Sequence, residues 1–175
     1  LNLFHLGQKR VISSFLWITT TLTVNIDRVK ETNHESWLYL RCKTILDLEP
    51  KFLMGHIYCG QYLSVISDDD EGAKRVFENA LKIFPNNYQL NFFAGMHFFL
   101  ELKDNLRAAQ ILEKIRFYPN SEFWLRSLVP KLYQKAGNNE LAFELLKEAY
   151  LKETESEVLK KRYFEQLENL KKRKD

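Results

Sequence analysis

The sequence predicts an all-α fold: a right-handed helical solenoid built from repeated hairpins, about eight or nine helices closed by a C-terminal capping helix. Three sets of landmarks predict it. Pro50, Pro85 and Pro119 stand 35 and 34 residues apart, Gly60 and Gly95 stand 35 apart, and Ala73, Ala108 and Ala142 stand 35 and 34 apart. One period shared by three residue types marks an internal repeat, and repeats of roughly 20–50 residues belong to solenoids.

Composition agrees with a packed helical chain. The 175 residues are 45% apolar and 14% aromatic, too rich in large side chains for disorder. Six glycines and four prolines leave few interruptions, so long helices are expected. A net charge of +3, from 26 basic and 23 acidic residues, is far from the strongly basic face that nucleic acid requires. Cys42 and Cys59 do not make a disulfide framework. Both fall in apolar helical stretches and are expected as reduced, buried small hydrophobes, which favours a reducing, cytoplasmic setting. A bridge between them stays open, because they lie in neighbouring helices.

From the N-terminus, residues 11–24 carry no charge but fall short of the roughly 20 residues that span a bilayer. They also hold several serines and threonines, and are expected as the first packed helix. Residues 36–50 (SWLYLRCKTILDLEP) form its partner, giving a divergent pair over 8–50. Three units follow, over 51–85, 86–119 and 120–154, within one helical repeat domain spanning 1–175. Each unit is an apolar helix, a short polar turn and a second helix. The turns are Asp68-Asp69-Asp70, Lys103-Asp104-Asn105 and Gly137-Asn138-Asn139, residues that bond nearby backbone and start helices. The second helices carry apolar residues at the helical period: Ala73, Val76, Phe77, Ala80, Leu81 and Phe84; then Ala108, Ile111, Leu112 and Ile115; then Ala142, Leu145, Leu146 and Ala149.

Gly60…Leu63…Ala73-x3-Phe77-x2-Ala80…Pro85 and Gly137…Ala142-x3-Leu146-x2-Ala149 resemble tetratricopeptide repeats over roughly residues 51–154. The second helices carry the likeness. The first helices depart from the pattern, with Cys59-Gly60, Ala94-Gly95 and Val129-Pro130 where the family has Leu-Gly. Pro130 removes a backbone bond and is expected to kink or restart its helix. The wording LW…LDLEPKF…PNNYQLNFFAG…ELKD is also similar to small delta-proteobacterial repeat proteins of unassigned activity, many with an N-terminal membrane anchor. In the tail, 155–175, Leu159, Tyr163, Leu167 and Leu170 form one apolar stripe opposite Lys160, Lys161, Arg162, Glu165 and Glu168. This is a capping helix that shields the last repeat.

No catalytic constellation appears: no phosphate loop, no nucleophile elbow and no paired metal motif. His56 and Cys59 share a helix face, but a closed zinc site needs about four ligands. His97 is expected to pack, and Asp68 to Asp70 lack the alternating ligands of a calcium loop. No cofactor and no turnover are expected. The resemblance implies a protein-binding adaptor or scaffold, whose first helices line a concave groove. In that register the partner-facing positions are Met54, Ile57, Gln61 and Ser64; Gln89, Phe92, Met96 and Phe99; and Trp124, Ser127, Lys131 and Gln134. Phe92, Met96 and Phe99 follow helical spacing and either floor the groove or belong to a central core helix.

A hydrophobic helix or extended segment is the expected partner, in preference to an acidic C-terminal tail. The family's carboxylate-gripping Lys, Asn and Arg are replaced here by Ile57, Gln61, Gln89 and Phe92. Bacterial polarity, motility or signalling is the expected setting, and analogy with motile and predatory bacteria suggests a small Ras-like polarity GTPase. The alternative is a membrane-tethered assembly factor of the envelope or secretion machinery, anchored upstream of Leu1. Homo-oligomers through apolar faces are open to either.

Overall fold

A computed structural model describes residues 8–23, 36–154 and 156–171. The described residues form helices and turns, with no strand among them. The helices are α1 (Lys9–Thr23), α2 (Trp37–Leu48), α3 (Leu53–Gln61), α4 (Asp70–Ile83), α5 (Tyr88–Leu100), α6 (Asn105–Glu113), α7 (Leu125–Lys135), α8 (Asn139–Lys152) and α9 (Glu157–Lys171). The expected all-α fold of consecutive helical pairs is present. None of these helices is long and apolar enough to cross a membrane. The chain divides into two compact units, Leu1–His97 and Phe98–Asp175, with the boundary inside α5.

In the first unit α1 packs on α2 and α3 on α4. The buried side of α1 is polar: Ser13 Oγ donates to the Ile45 carbonyl at 3.2 Å, and Arg41 reaches Thr20 Oγ1 at 3.1 Å. Ser36 starts α2 by accepting from the Tyr39 amide at 3.0 Å. Its hydroxyl donates to Asp69 at 2.5 Å, and Asp69 in turn caps α4 by accepting from the Gly72 amide at 2.8 Å. One serine thus ties the starts of two helices, and each cap satisfies an amide that the helix leaves unpaired. The α3–α4 crossing is close because Gly60 is buried with no side chain; a Cβ there would run into the ring of Phe77. The core around it is Ile45, Ile57, Leu63, Ala73, Phe77 and Ala80.

The two cysteines depart from the reduced state expected of them. Cys42 in α2 and Cys59 in α3 are joined in a disulfide with Cα atoms 5.8 Å apart, and both are fully buried. Their sequence separation of 17 spans the turn between two packed helices, and only helix rotation decides whether the two sulfurs meet.

The turn between the two helices of each of the three repeats has one recurring conformation. Asp68, Lys103 and Gly137 have φ of 56°, 56° and 86°, the left-handed region in which a helix commonly ends. The next residue closes the turn onto the preceding helix: Asp69 N donates to Leu63 O, Asp104 N to Phe98 O and Asn138 N to Tyr133 O, each at 2.9 Å. The first two closures are one residue wider than the third. In the first unit the extra residue is taken up by a π-helical turn, Tyr62–Ile66, which prolongs α3.

In the second unit α6, α7, α8 and α9 pack in succession. α7 does not restart at Pro130 but runs unbroken from Leu125 to Lys135, with Pro130 buried inside it. Arg116, 3% exposed, is held by the Leu145 carbonyl at 3.1 Å and by Glu148. Glu153 accepts from Arg126 at 3.2 Å and from the Ser156 amide at 3.0 Å, joining the end of α8 to the start of α9. The expected stripe of α9 covers the last pair: Tyr163 and Leu167 are buried with Leu146 and Ala149, and Leu159 and Leu170 pack beside them.

Candidate functional site

The partner-facing positions of the first unit divide by burial. Ile57 is fully buried, so it belongs to the core and is unavailable to a partner; this corrects its assignment to the groove. Helical spacing placed it one turn from Met54, but α3 rotates that side inward against α4. Met54 is 37% exposed, Gln61 is half-buried and Gln89 is exposed. Phe92 and Met96 are half-buried, Phe92 packing on Tyr88 and Phe93 with ring centroids 6.2 and 5.6 Å away. Between these positions in sequence, Leu90, Asn91, Ala94 and His97 are buried.

His56 and His97 are structural anchors of this unit. His56 is buried, and its Nε2 lies 2.9 Å from the Pro50 carbonyl. A carbonyl only accepts, so Nε2 carries a proton and donates it. Burial holds its pKa below the ordinary histidine value, the hydrogen bond opposing this in part. With Cys59 in a disulfide, His56 and Cys59 are no metal pair. His97 lies between Ser64 Oγ at 2.9 Å from Nδ1 and the Asp70 carbonyl at 3.2 Å from Nε2. Nε2 therefore donates to the carbonyl and Nδ1 accepts from the serine. This hydroxyl–imidazole pair joins the π turn, the start of α4 and α5.

The second unit contains a cleft of about 190 Å³. Its floor is Pro130, Leu146 and Leu170; its rim is Lys131 and Gln134 from α7 and Gln166 and Asn169 from α9. The spacing of Lys131 and Gln134 puts both on one face of α7, and α9 brings its two amides alongside. None of the four rim side chains bonds elsewhere among the described residues. An apolar floor under uncommitted amides and one ammonium suits a peptide: amide groups pair with main-chain N–H and C=O, and the floor takes a side chain. Of the remaining expected positions, Phe99 is half-buried with the Lys135 ammonium 5.7 Å from its ring centre, and Trp124 is half-buried at the start of α7.

Gln166 and Asn169 escaped the sequence reading, which assigned α9 only a shielding role. The available signal is two uncharged amides three residues apart, bordering the apolar stripe on one side.

Helical hairpins repeating at 34–35 residues, with matching turns and a capping helix, define an all-α helical-repeat protein. The structure is similar to the crystal structure of a thermophilic TPR protein in Thermus thermophilus, with a TM-score of 0.43 and 17% identity over 94% of this chain and 93% of that one. No family model matches the chain, and no curated protein matches it.

Proposed function

We propose that this chain is a protein-binding adaptor without turnover of its own, and that the α7–α9 cleft receives an extended segment of another protein. The observation that carries this is the cleft itself, whose rim of Lys131, Gln134, Gln166 and Asn169 stands over an apolar floor. A partner segment with one apolar side chain seated on Leu146 and Leu170 fits these groups, with its main chain bonded by the amides. Lys131 adds a preference for a carboxylate nearby. In the first unit Met54, Gln61, Gln89, Phe92 and Met96 are proposed as further contacts. The buried Cys42–Cys59 disulfide supports work in an oxidising compartment and replaces the reducing setting first expected.

Selection from a library of displayed peptides, followed by fluorescence anisotropy, tests the cleft. A Gln166→Ala/Asn169→Ala variant should bind the selected peptides at least tenfold more weakly, at unchanged helical content. Peptides that bind the variant as well as the parent would remove the cleft from the reading. Failure to select any peptide would remove the adaptor role.

A further inference from the structure

We propose that the outer face of α1 is a docking surface for a second copy of this chain, through antiparallel pairing of two α1 helices. Val11, Phe15, Ile18 and Leu22 are 62%, 66%, 54% and 79% exposed on one helix. Their successive spacings of 4, 3 and 4 residues form one straight seam, the spacing by which two helices interlock side by side. The opposite face is already used: Ser13 and Thr20 are buried, and Trp17 stacks near Tyr58 and Tyr62 with centroids 6.0 and 6.3 Å away.

The threonines beside the seam are already satisfied within their own helix. Thr19, Thr21 and Thr23 donate their hydroxyls to carbonyls of their own helix, at 3.0, 2.9 and 2.6 Å. Covering them leaves no donor unpaired. A cleft of about 170 Å³ lined by Leu16, Trp37, Leu40, Arg41 and Thr44 extends the face onto α2, where Trp37 and Leu40 are 44% and 45% exposed.

Charge sets the direction. Lys9 and Arg10 begin α1, and its last turn holds no basic side chain. Arg10 is held by Glu49 of its own chain at 2.9 Å, so antiparallel copies place Lys9 beside the partner's carbonyl end, where the helix dipole favours positive charge. Parallel copies would set the two cationic ends together. Antiparallel pairing also puts Val11 against Leu22 and Phe15 against Ile18, a smaller side chain facing a larger one in each pair. A bilayer fits less well: helices lying in a membrane surface carry Lys and Arg along the polar face, whereas residues 11–23 have no charge.

Sedimentation equilibrium of the full chain over a concentration series tests this. The parent should approach twice the chain mass, and Phe15→Glu/Ile18→Glu should return it to one, with unchanged circular dichroism. Phe164→Glu, at an exposed aromatic of α9, should leave the dimer intact. Mixing Val11→Cys with Leu22→Cys should give a cross-linked pair that neither forms alone. A parent that stays at one chain mass, or a dimer that survives the double substitution, would overturn the proposal. So would flotation of the monomer with phosphatidylcholine–phosphatidylglycerol vesicles that Phe15→Glu/Ile18→Glu abolishes, since that gives the face to a lipid surface.

Discussion

Asn91 in α5 holds the place that His56 holds in α3: each donates from a buried side chain to the carbonyl of a proline six residues earlier. His56 Nε2 reaches Pro50 at 2.9 Å and Asn91 Nδ2 reaches Pro85 at 3.0 Å. The repeat therefore extends to the polar bond that fastens α3 and α5 to the turn before each; Leu125 stands at the equivalent place in α7.

The exchange predicts an acid-sensitive contribution to stability. His56 is held neutral by burial, so its folded pKa lies below that of the unfolded chain. Between the two values the unfolded state binds the extra proton, and stability falls as pH drops below about 6.5. For one proton the slope approaches about 1.4 kcal/mol per pH unit. His56→Asn should remove this loss while keeping the Pro50 bond. Urea midpoints at pH 7.5 and 5.0 should diverge in the parent more than in the variant.

The disulfide predicts a redox-dependent stability. Closing a loop of this length contributes about 3 kcal/mol, chiefly by restricting the unfolded chain. Cys42→Ala/Cys59→Ala should lower the unfolding free energy by about that amount, and a reductant should affect the parent but not the variant. Mass spectrometry after alkylation without reductant should find neither thiol labelled.

Gly60 and Phe77 should be coupled. Gly60→Ala pushes a methyl group into the Phe77 ring and should cost about 1–3 kcal/mol. Adding Phe77→Leu should recover part of that loss, so the double variant is more stable than the sum of the single effects predicts. Thermal melts of the four proteins measure the coupling.

The three recurrent turns predict substitutions of opposite sign. Lys103 has a side chain at φ 56°, so Lys103→Gly should stabilise by about 0.5 kcal/mol. Gly137→Ala at φ 86° should destabilise by about 1 kcal/mol, although no heavy atom lies within 4 Å of the added methyl. Chemical denaturation distinguishes this backbone effect from a clash.

Tyr163 is 1% exposed and packs with Leu146 and Ala149. Tyr163→Ala should cost about 3–5 kcal/mol, as for truncation of a large buried aromatic. Loss of α9 protection should follow in hydrogen exchange, ahead of the α7–α8 pair.

Much of this fold was legible because its signals are local. Proline closes a hairpin by removing a donor, Asp69 and Asp104 cap helices through their own carboxylates, and the Leu159–Leu170 stripe needs only helical geometry to be seen. The site was legible in part. Lys131 lines the α7–α9 cleft, whereas Ile57, expected in the same register, lies in the core. A register gives the face of a helix but not the angle at which the next helix covers it.

The sequence by itself determined the period, the hairpins, the turns between their helices and the capping stripe, since each is a pattern of spacing along the chain. The tertiary structure alone decided that Cys42 meets Cys59, that Gln166 and Asn169 complete the cleft begun by α7, and that Val11, Phe15, Ile18 and Leu22 stay uncovered. These outcomes depend on the rotation and crossing of helices distant in sequence. Close packing of whole side-chain surfaces sets that rotation, and spacing along one helix does not encode it.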